Sequence, residues 1–204
     1  MAFKFPAENW KALLNPERSS WQSMEVFLST VNPSEEEVWV DLGCGPGYFT
    51  IPLASKVKKV YAVDLEERML EVCASRAKEE GITNIELIKC QEDCIPLPDE
   101  VAHRILMANL LHELVKPAGF LAEVRRISRP NAKIVVIDWH PIPSPAGPPL
   151  EERIPKEEAK KLMKENGFIL VEDLEVYPYH YFLIFGKEEL NGTGGVRSPQ
   201  PREF

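Results

Sequence analysis

Apolar and polar positions alternate between two rhythms along this chain, and the switches between them divide it into elements. Short, nearly continuous apolar runs occur at VWVDL from Val38, VKKVYAV over 57–63, IELIKC over 85–90, the first half of AHRILMANLLHEL over 102–114, and AKIVVIDW over 132–139. Runs of that length, bounded by glycine, proline or acids, predict strands buried on both faces of a sheet. Between them the apolar residues fall at helical spacing, predicting helices over 48–56, 66–80, 117–129 and 155–166. Another helix precedes the sheet over 19–31, where Met24, Phe27, Leu28 and Val31 share a face.

Strand and helix in alternation specify a parallel sheet with helices on both faces. The last two strands depart from it. FILVEDLEVY (168–177) and YHYFLIFGK (179–187) are separated by Pro178 alone, and so short a connection predicts antiparallel pairing. In that final strand, alternation sends His180 to the face opposite Tyr179 and Tyr181.

The junction after the first strand carries chemistry. Asp41 is followed by Gly43-Cys44-Gly45-Pro46-Gly47, three glycines at alternate positions. Without Cβ atoms they open backbone angles closed to other residues and let a ligand approach the main chain, while the next helix aims unpaired N–H groups at the same point. The second strand ends in Asp64, 17 residues after Gly47, where an acid can accept hydrogen bonds from both hydroxyls of a ribose. Together these predict an adenosine-containing ligand. The spacing is not the G-x-G-x-x-G of dinucleotide sites, and the carboxylate of Asp41 repels a pyrophosphate but suits an ammonium.

These residues resemble motif I of the class I S-adenosylmethionine (SAM) dependent methyltransferases, and the resemblance runs in order from about Glu35 to Lys187. It is nearest to small-molecule enzymes of the ubiquinone/menaquinone C-methyltransferase group. The resemblance implies an α/β, Rossmann-like, seven-stranded and mostly parallel sheet of order 3-2-1-4-5-7-6, the last strand antiparallel. It also implies that Gly43, Gly45 and Gly47 cradle the methionine part of the cofactor, with Asp41 beside it, while Asp64 meets the ribose and the adjacent Leu65 is a further cofactor contact. Adenine then falls to the loop QEDCIPLPDE, where Gln91, Glu92 and Asp93 are alternative contacts, and Asn109 stands at the fourth strand tip beside the methyl group. The product is S-adenosylhomocysteine, and the acceptor a small molecule, aromatic, quinone-like or lipid-like.

Methyl transfer from a sulfonium needs alignment more than acid–base help. For a phenol or an acidic carbon a base assists, and His112, just past strand four, is the candidate catalytic residue. Two other readings stand beside the enzyme: a non-catalytic SAM-binding partner module, and a NAD-dependent oxidoreductase, which the glycine spacing and Asp41 disfavour.

Composition narrows the partners. The chain has 204 residues, 44% hydrophobic, within the size of one α/β domain. Its 24 basic and 32 acidic residues leave a net charge of −8, which makes nucleic acid a poor partner. The basic cluster Arg125, Arg126 and Arg129 is expected to be a solvated helix face. The four cysteines have no metal-ligand spacing. Nothing resembles a membrane span or a leader, so the expected residence is cytoplasmic. Residues 1–34 are expected to form a helical cap, with Phe3, Phe5, Trp10 and Trp21 closing over the cofactor, and 35–187 the methyltransferase domain. Residues 140–155, with five prolines before Glu151, are expected to wall the substrate pocket. Residues 188–204, lacking periodicity, are expected to be a disordered tail. Oligomeric state is left open.

Overall fold

A twisted seven-stranded sheet of order β3-β2-β1-β4-β5-β7-β6 organises the molecule. The computed structural model describes residues 4–188, so Phe3 of the expected lid and all but the first residue of the expected tail lie outside the described residues. The strands are β1 (Val38–Leu42), β2 (Lys59–Asp64), β3 (Ile85–Lys89), β4 (Ala102–Ala108), β5 (Ser128–Trp139), β6 (Phe168–Leu174) and β7 (His180–Lys187). Helices α1 (Met24–Val31), α2 (Thr50–Ala54), α3 (Glu67–Glu79), α4 (Pro117–Ile127) and α5 (Lys156–Glu165) cover them. β7 alone runs antiparallel to its neighbours, β5 and β6. The sheet expected from the chain is therefore the sheet observed.

Burial follows from the strand composition. On one face Val40, Leu42, Ile105, Met107, Ile134 and Val136 pack with Phe120, Leu121 and Val124 of α4. On the other, Trp39, Leu106, Val135 and Phe182 pack with Phe27 of α1 and Phe49. Burying each large side chain contributes about 1.5–3 kcal/mol, enough to fix which residues of a strand face which helix layer.

Of the boundaries that differ from expectation, three have a clear physical reason. The helix expected over 48–56 shrinks to Thr50–Ala54, because the turn through Gly47 continues past Tyr48 and Phe49. That expected over 19–31 begins only at Met24. Ser23 caps α1 by accepting from the Val26 N–H, while residues 16–20 form a separate 3₁₀ turn that leaves Trp21 and Gln22 free to face the sheet edge. β6 stops at Leu174 instead of Tyr177. The buried Tyr177 donates its hydroxyl to the Ser23 carbonyl at 2.9 Å, so residues 175–179 cross to the N-terminal segment before β7 starts.

The basic cluster is a further correction. Arg125 donates to the Gly167 and Glu188 carbonyls, Arg126 binds Glu123, Asp99 and the Ile95 and Leu97 carbonyls, and Arg129, already in β5, binds the Glu100 carbonyl and His103. Arg125 and Arg126 are interelement ties, each bonding carbonyls of connections outside its own helix, while Arg129 stays exposed and ties β5 to the β3–β4 connection.

Candidate active site

The parallel strands β1, β2, β4 and β5 end at one edge, where the connections splay apart and leave a cavity of about 330 Å³. That lies within the range of small-molecule sites. Its floor is the turn after β1, and its roof comes from the N-terminal segment through Phe5, Leu13, Arg18 and Trp21. Trp10 of the expected lid is half-buried but does not line it.

The turn is held from two sides. The N–H groups of Gly43 and Cys44 donate to the Val63 carbonyl at 2.8 and 3.1 Å. Asp64 accepts from the Gly45 N–H at 2.8 Å and from the Glu66 N–H at 2.9 Å, so one carboxylate ties the tips of β1 and β2 together. Burial pushes Asp64 above the usual carboxylate range, and those two N–H bonds pull it back. The glycines divide the work. At Gly45, with φ +52°, a Cβ would meet only Leu13 at 3.6 Å, leaving bare backbone toward the cavity. At Gly47, with φ +83°, a Cβ would lie 2.8 Å from the Cys73 sulfur and 3.3 Å from Ile51, and the residue does not line the cavity. Gly47 therefore serves the packing of the turn on α3.

Asp41 lies buried below this turn, lines the cavity and accepts from the Thr50 hydroxyl at 2.6 Å. Burial raises its pKa to about 7, against the pull of Thr50 and Arg18. Gly43 and Leu65 also line the cavity. So do Gln91 and Glu92, the latter paired with Lys4, whereas Asp93 does not. Asn109 lines it from the tip of β4 in the left-handed conformation, φ +56°, its N–H held by the Ile137 carbonyl and its amide paired with that of Gln22.

His112 stands in the 3₁₀ turn Leu111–Glu113 that follows, buried at the cavity wall. Its backbone N–H donates to Asp138 Oδ2 at 3.2 Å, and its ring Nδ1 lies 2.7 Å from Asp138 Oδ1. A carboxylate there makes Nδ1 the protonated nitrogen and leaves Nε2 as the acceptor. Burial pulls the imidazole pKa down, but the charge and hydrogen bond of Asp138, with Glu113 adding, raise it overall. Glu113, whose Oε1 lies 3.9 Å from His112 Nε2, accepts from the Phe5 N–H and is pushed by burial to about 7.

The remaining wall is aromatic and proline-rich. Trp139, at the tip of β5, lies 5.3 Å from Trp21 and 3.9 Å from His180, centroid to centroid. His180 and Tyr181 lie in opposite core layers as alternation requires, and burial drives His180 well below the ordinary imidazole range. Pro145 to Pro148 border the cavity. Arg153 holds that loop, donating to the carbonyls of His140, Ile142, Ala146 and Pro148 and to the Ser144 hydroxyl. Sequence reasoning missed Asp138, Glu113, Arg18, Gln22 and Arg153. Asp138 carried a usable signal, an acid near a strand tip like Asp41 and Asp64, and the others carried none.

A profile described as "Methyltransferase domain" matches residues 40–136. The crystal structure of a SAM dependent methyltransferase from Aquifex aeolicus superposes with a TM-score of 0.84 at 31% identity, covering 89% of this chain and 98% of that one. The chain belongs to the SAM-dependent methyltransferase family. SAM is accordingly its cofactor, and the exposed backbone at Gly45 and the carboxylate of Asp64 at the same cavity suit an adenosyl amino acid. Among curated proteins, the ubiquinone/menaquinone biosynthesis C-methyltransferase UbiE of Burkholderia cenocepacia is 26% identical over 130 residues, 60% of this chain and 52% of that protein. The methyltransferase YcgJ of Bacillus subtilis is 23% identical over 131 residues, 64% and 51% of the two chains. The chain thus spans about half the length of the curated relatives it matches. Among the described residues of this methyltransferase-family chain no helix is long and apolar enough to cross a membrane, and no group of three or more His, Cys, Asp or Glu could hold a metal.

Proposed function

We propose that the protein transfers the methyl group of SAM to a small molecule, an aromatic or quinone-like hydroxyl or an acidic carbon, with His112 taking the acceptor's proton. The observation that carries this reading is the His112–Asp138 pair, set at 2.7 Å in the wall of the cavity that the glycine turn also lines. Bound SAM supplies a methyl carbon already activated by its sulfonium. The chain supplies the rest: Gly43 and Gly45 seat the methionine part, Asp41 faces its ammonium, Asp64 and Leu65 meet the ribose, and Gln91 or Glu92 meets adenine. Asp138 keeps the Nδ1 proton in place, so Nε2 of a neutral His112 can accept a proton from an acidic acceptor. Trp21, Trp139 and the proline loop exclude water and favour a flat, apolar acceptor.

Residues 1–34 act as the cap over residues 35–187 in this reading. Nucleic acid fits poorly, because the three arginines that could have formed a phosphate patch are spent on internal carbonyls and carboxylates. The competing role, a SAM-binding partner without activity, leaves the buried His–Asp pair without a task.

The test is transfer of labelled methyl from SAM to a panel of phenols, catechols and quinols. Wild type should label at least one of them, and His112→Ala should lose turnover while keeping its affinity for SAM. Labelling of protein or RNA in place of every small acceptor would overturn the acceptor class. Loss of SAM affinity with turnover preserved would take His112 out of the chemistry.

A further inference from the structure

Arg18 carries a full charge in a place where charge is expensive. It is only 7% exposed, it lines the cavity, and its guanidinium carbon lies 3.8 Å from the centroid of the Tyr48 ring, the residue that directly follows the glycine turn. Its hydrogen bonds all go to neutral acceptors. Nε and Nη2 donate to Gln22 Oε1 at 2.9 and 2.7 Å, and Nη1 to the Leu13 carbonyl at 2.8 Å. That uses three of the five N–H donors of a guanidinium. No carboxylate among the described residues is seated on its fork, and Asp41, which lines the same cavity with Glu17 and Glu66, acts on it only at longer range. Burial lowers its pKa to about 10, so the group remains a cation at neutral pH.

A buried cation with no carboxylate bonded to it is a cost that folding carries for a purpose, and a matching anion in the cavity offsets it. Stacking on Tyr48 and the bond to Gln22 fix the plane of the fork, which presents its unused donors as a planar, bidentate receptor for a carboxylate. Resting on the assignment of this cavity to SAM, we infer that Arg18 binds the α-carboxylate of the cofactor. The amino acid end is then gripped by opposite charges, with Arg18 from the N-terminal segment on the carboxylate and Asp41 from β1 toward the ammonium. The arrangement also explains Gln22. Its side chain, fully buried, joins Arg18 to the amide of Asn109 at the tip of β4, with amide-to-amide distances of 3.2 and 3.4 Å. A carboxylate on Arg18 thereby ties the N-terminal segment to the strand tip beside the methyl group.

The test compares two ligands by calorimetry: S-adenosylhomocysteine, and methylthioadenosine, which keeps the adenosine and the thioether but has no amino acid end. In Arg18→Gln, affinity for S-adenosylhomocysteine should fall by about tenfold to a hundredfold, as expected for one charge-assisted pair, with methylthioadenosine affinity held within about twofold. Arg18→Lys, which keeps the charge but not the fork, should recover part of the loss, and it decides the matter with the same two ligands if the glutamine variant does not fold. Equal loss for both ligands would reduce Arg18 to a structural tie. No loss for either would hand the cation to some other anion, an acid on the acceptor included. Failure of wild type to bind either ligand would sink the SAM assignment, which separates that failure from one of Arg18 alone.

Discussion

The two halves of the sheet edge are built by different means. On the β1–β2–β3 side the groups proposed to meet the cofactor come from short contiguous stretches: the glycine turn, Asp41 two residues before it, and Asp64 at the end of the next strand. On the β4–β5 side the proposed chemistry is assembled from distant ones. His112 meets Asp138 across 26 residues, Trp139 meets Trp21 across more than a hundred, and Arg153 folds the proline loop back on the strand. The contrast follows from the ligands. An invariant cofactor can be held by local backbone geometry, since a turn and a strand tip repeat the same shape whenever the same residues recur. An acceptor pocket has to be shaped by side chains from loops, each free to vary with little effect on the sheet.

The largest effects should appear on the acceptor side. His112→Ala should lower kcat by about 10²–10⁴ with SAM affinity nearly unchanged, measured as labelled methyl transfer beside calorimetry. A fall in SAM affinity of the same size would erase the distinction between the halves. Asp138→Asn sharpens it through pH. His112 must be neutral to accept a proton, and Asp138 raises its pKa, so wild-type activity should climb as pH rises through a value above 6.5. The asparagine variant should be slower at its plateau, with the climb moved to lower pH. An unmoved limb would mean that Asp138 does not tune the base.

Within the cofactor half, two glycines of one turn should part company. Gly47→Ala meets both the left-handed backbone and the Cys73 sulfur, and should cost roughly 2–4 kcal/mol of stability in urea melts. Gly45→Ala faces open cavity, and should cost roughly 1 kcal/mol while weakening SAM binding severalfold. Reversed results would make Gly45 the packing residue.

The smallest effect is on stability against pH. Asp41 and Glu113 titrate at about 7 in the folded chain, above the 3.8 and 4.5 of free side chains. Between those limits the folded state holds more protons than the unfolded one, so this stability is complete at low pH and is lost as pH rises through 7. His112 and Asp64, also raised, act in the same direction, while His180, held low by burial, opposes them only below about pH 6.5. The thermal midpoint of the ligand-free protein should drop by a few degrees, about 2–4 °C per kcal/mol, between pH 5 and 8, and Asp41→Asn should flatten the slope.

The alternation of buried strands and helices in this chain determined the order of elements and, through the short final connection, the antiparallel strand. The glycine turn and Asp64 determined the class of cofactor. Those features are local: a strand, a turn or a helix answers to the period and the residue types within a dozen positions. Sequence placed Gly47 with the cofactor, although its Cβ position is filled by α3, and it gave the arginines 125, 126 and 129 to solvent, although carbonyls of neighbouring turns claim them. It also marked His112 without its partner and passed over Arg18 altogether. Such pairings depend on which element ends lie within about 3 Å of one another, a matter settled when the sheet closes and the N-terminal segment lies down on its edge. Burial then sets the charge of each group, as the shifted carboxyls of Asp41 and Glu113 show, and burial belongs to the tertiary structure alone.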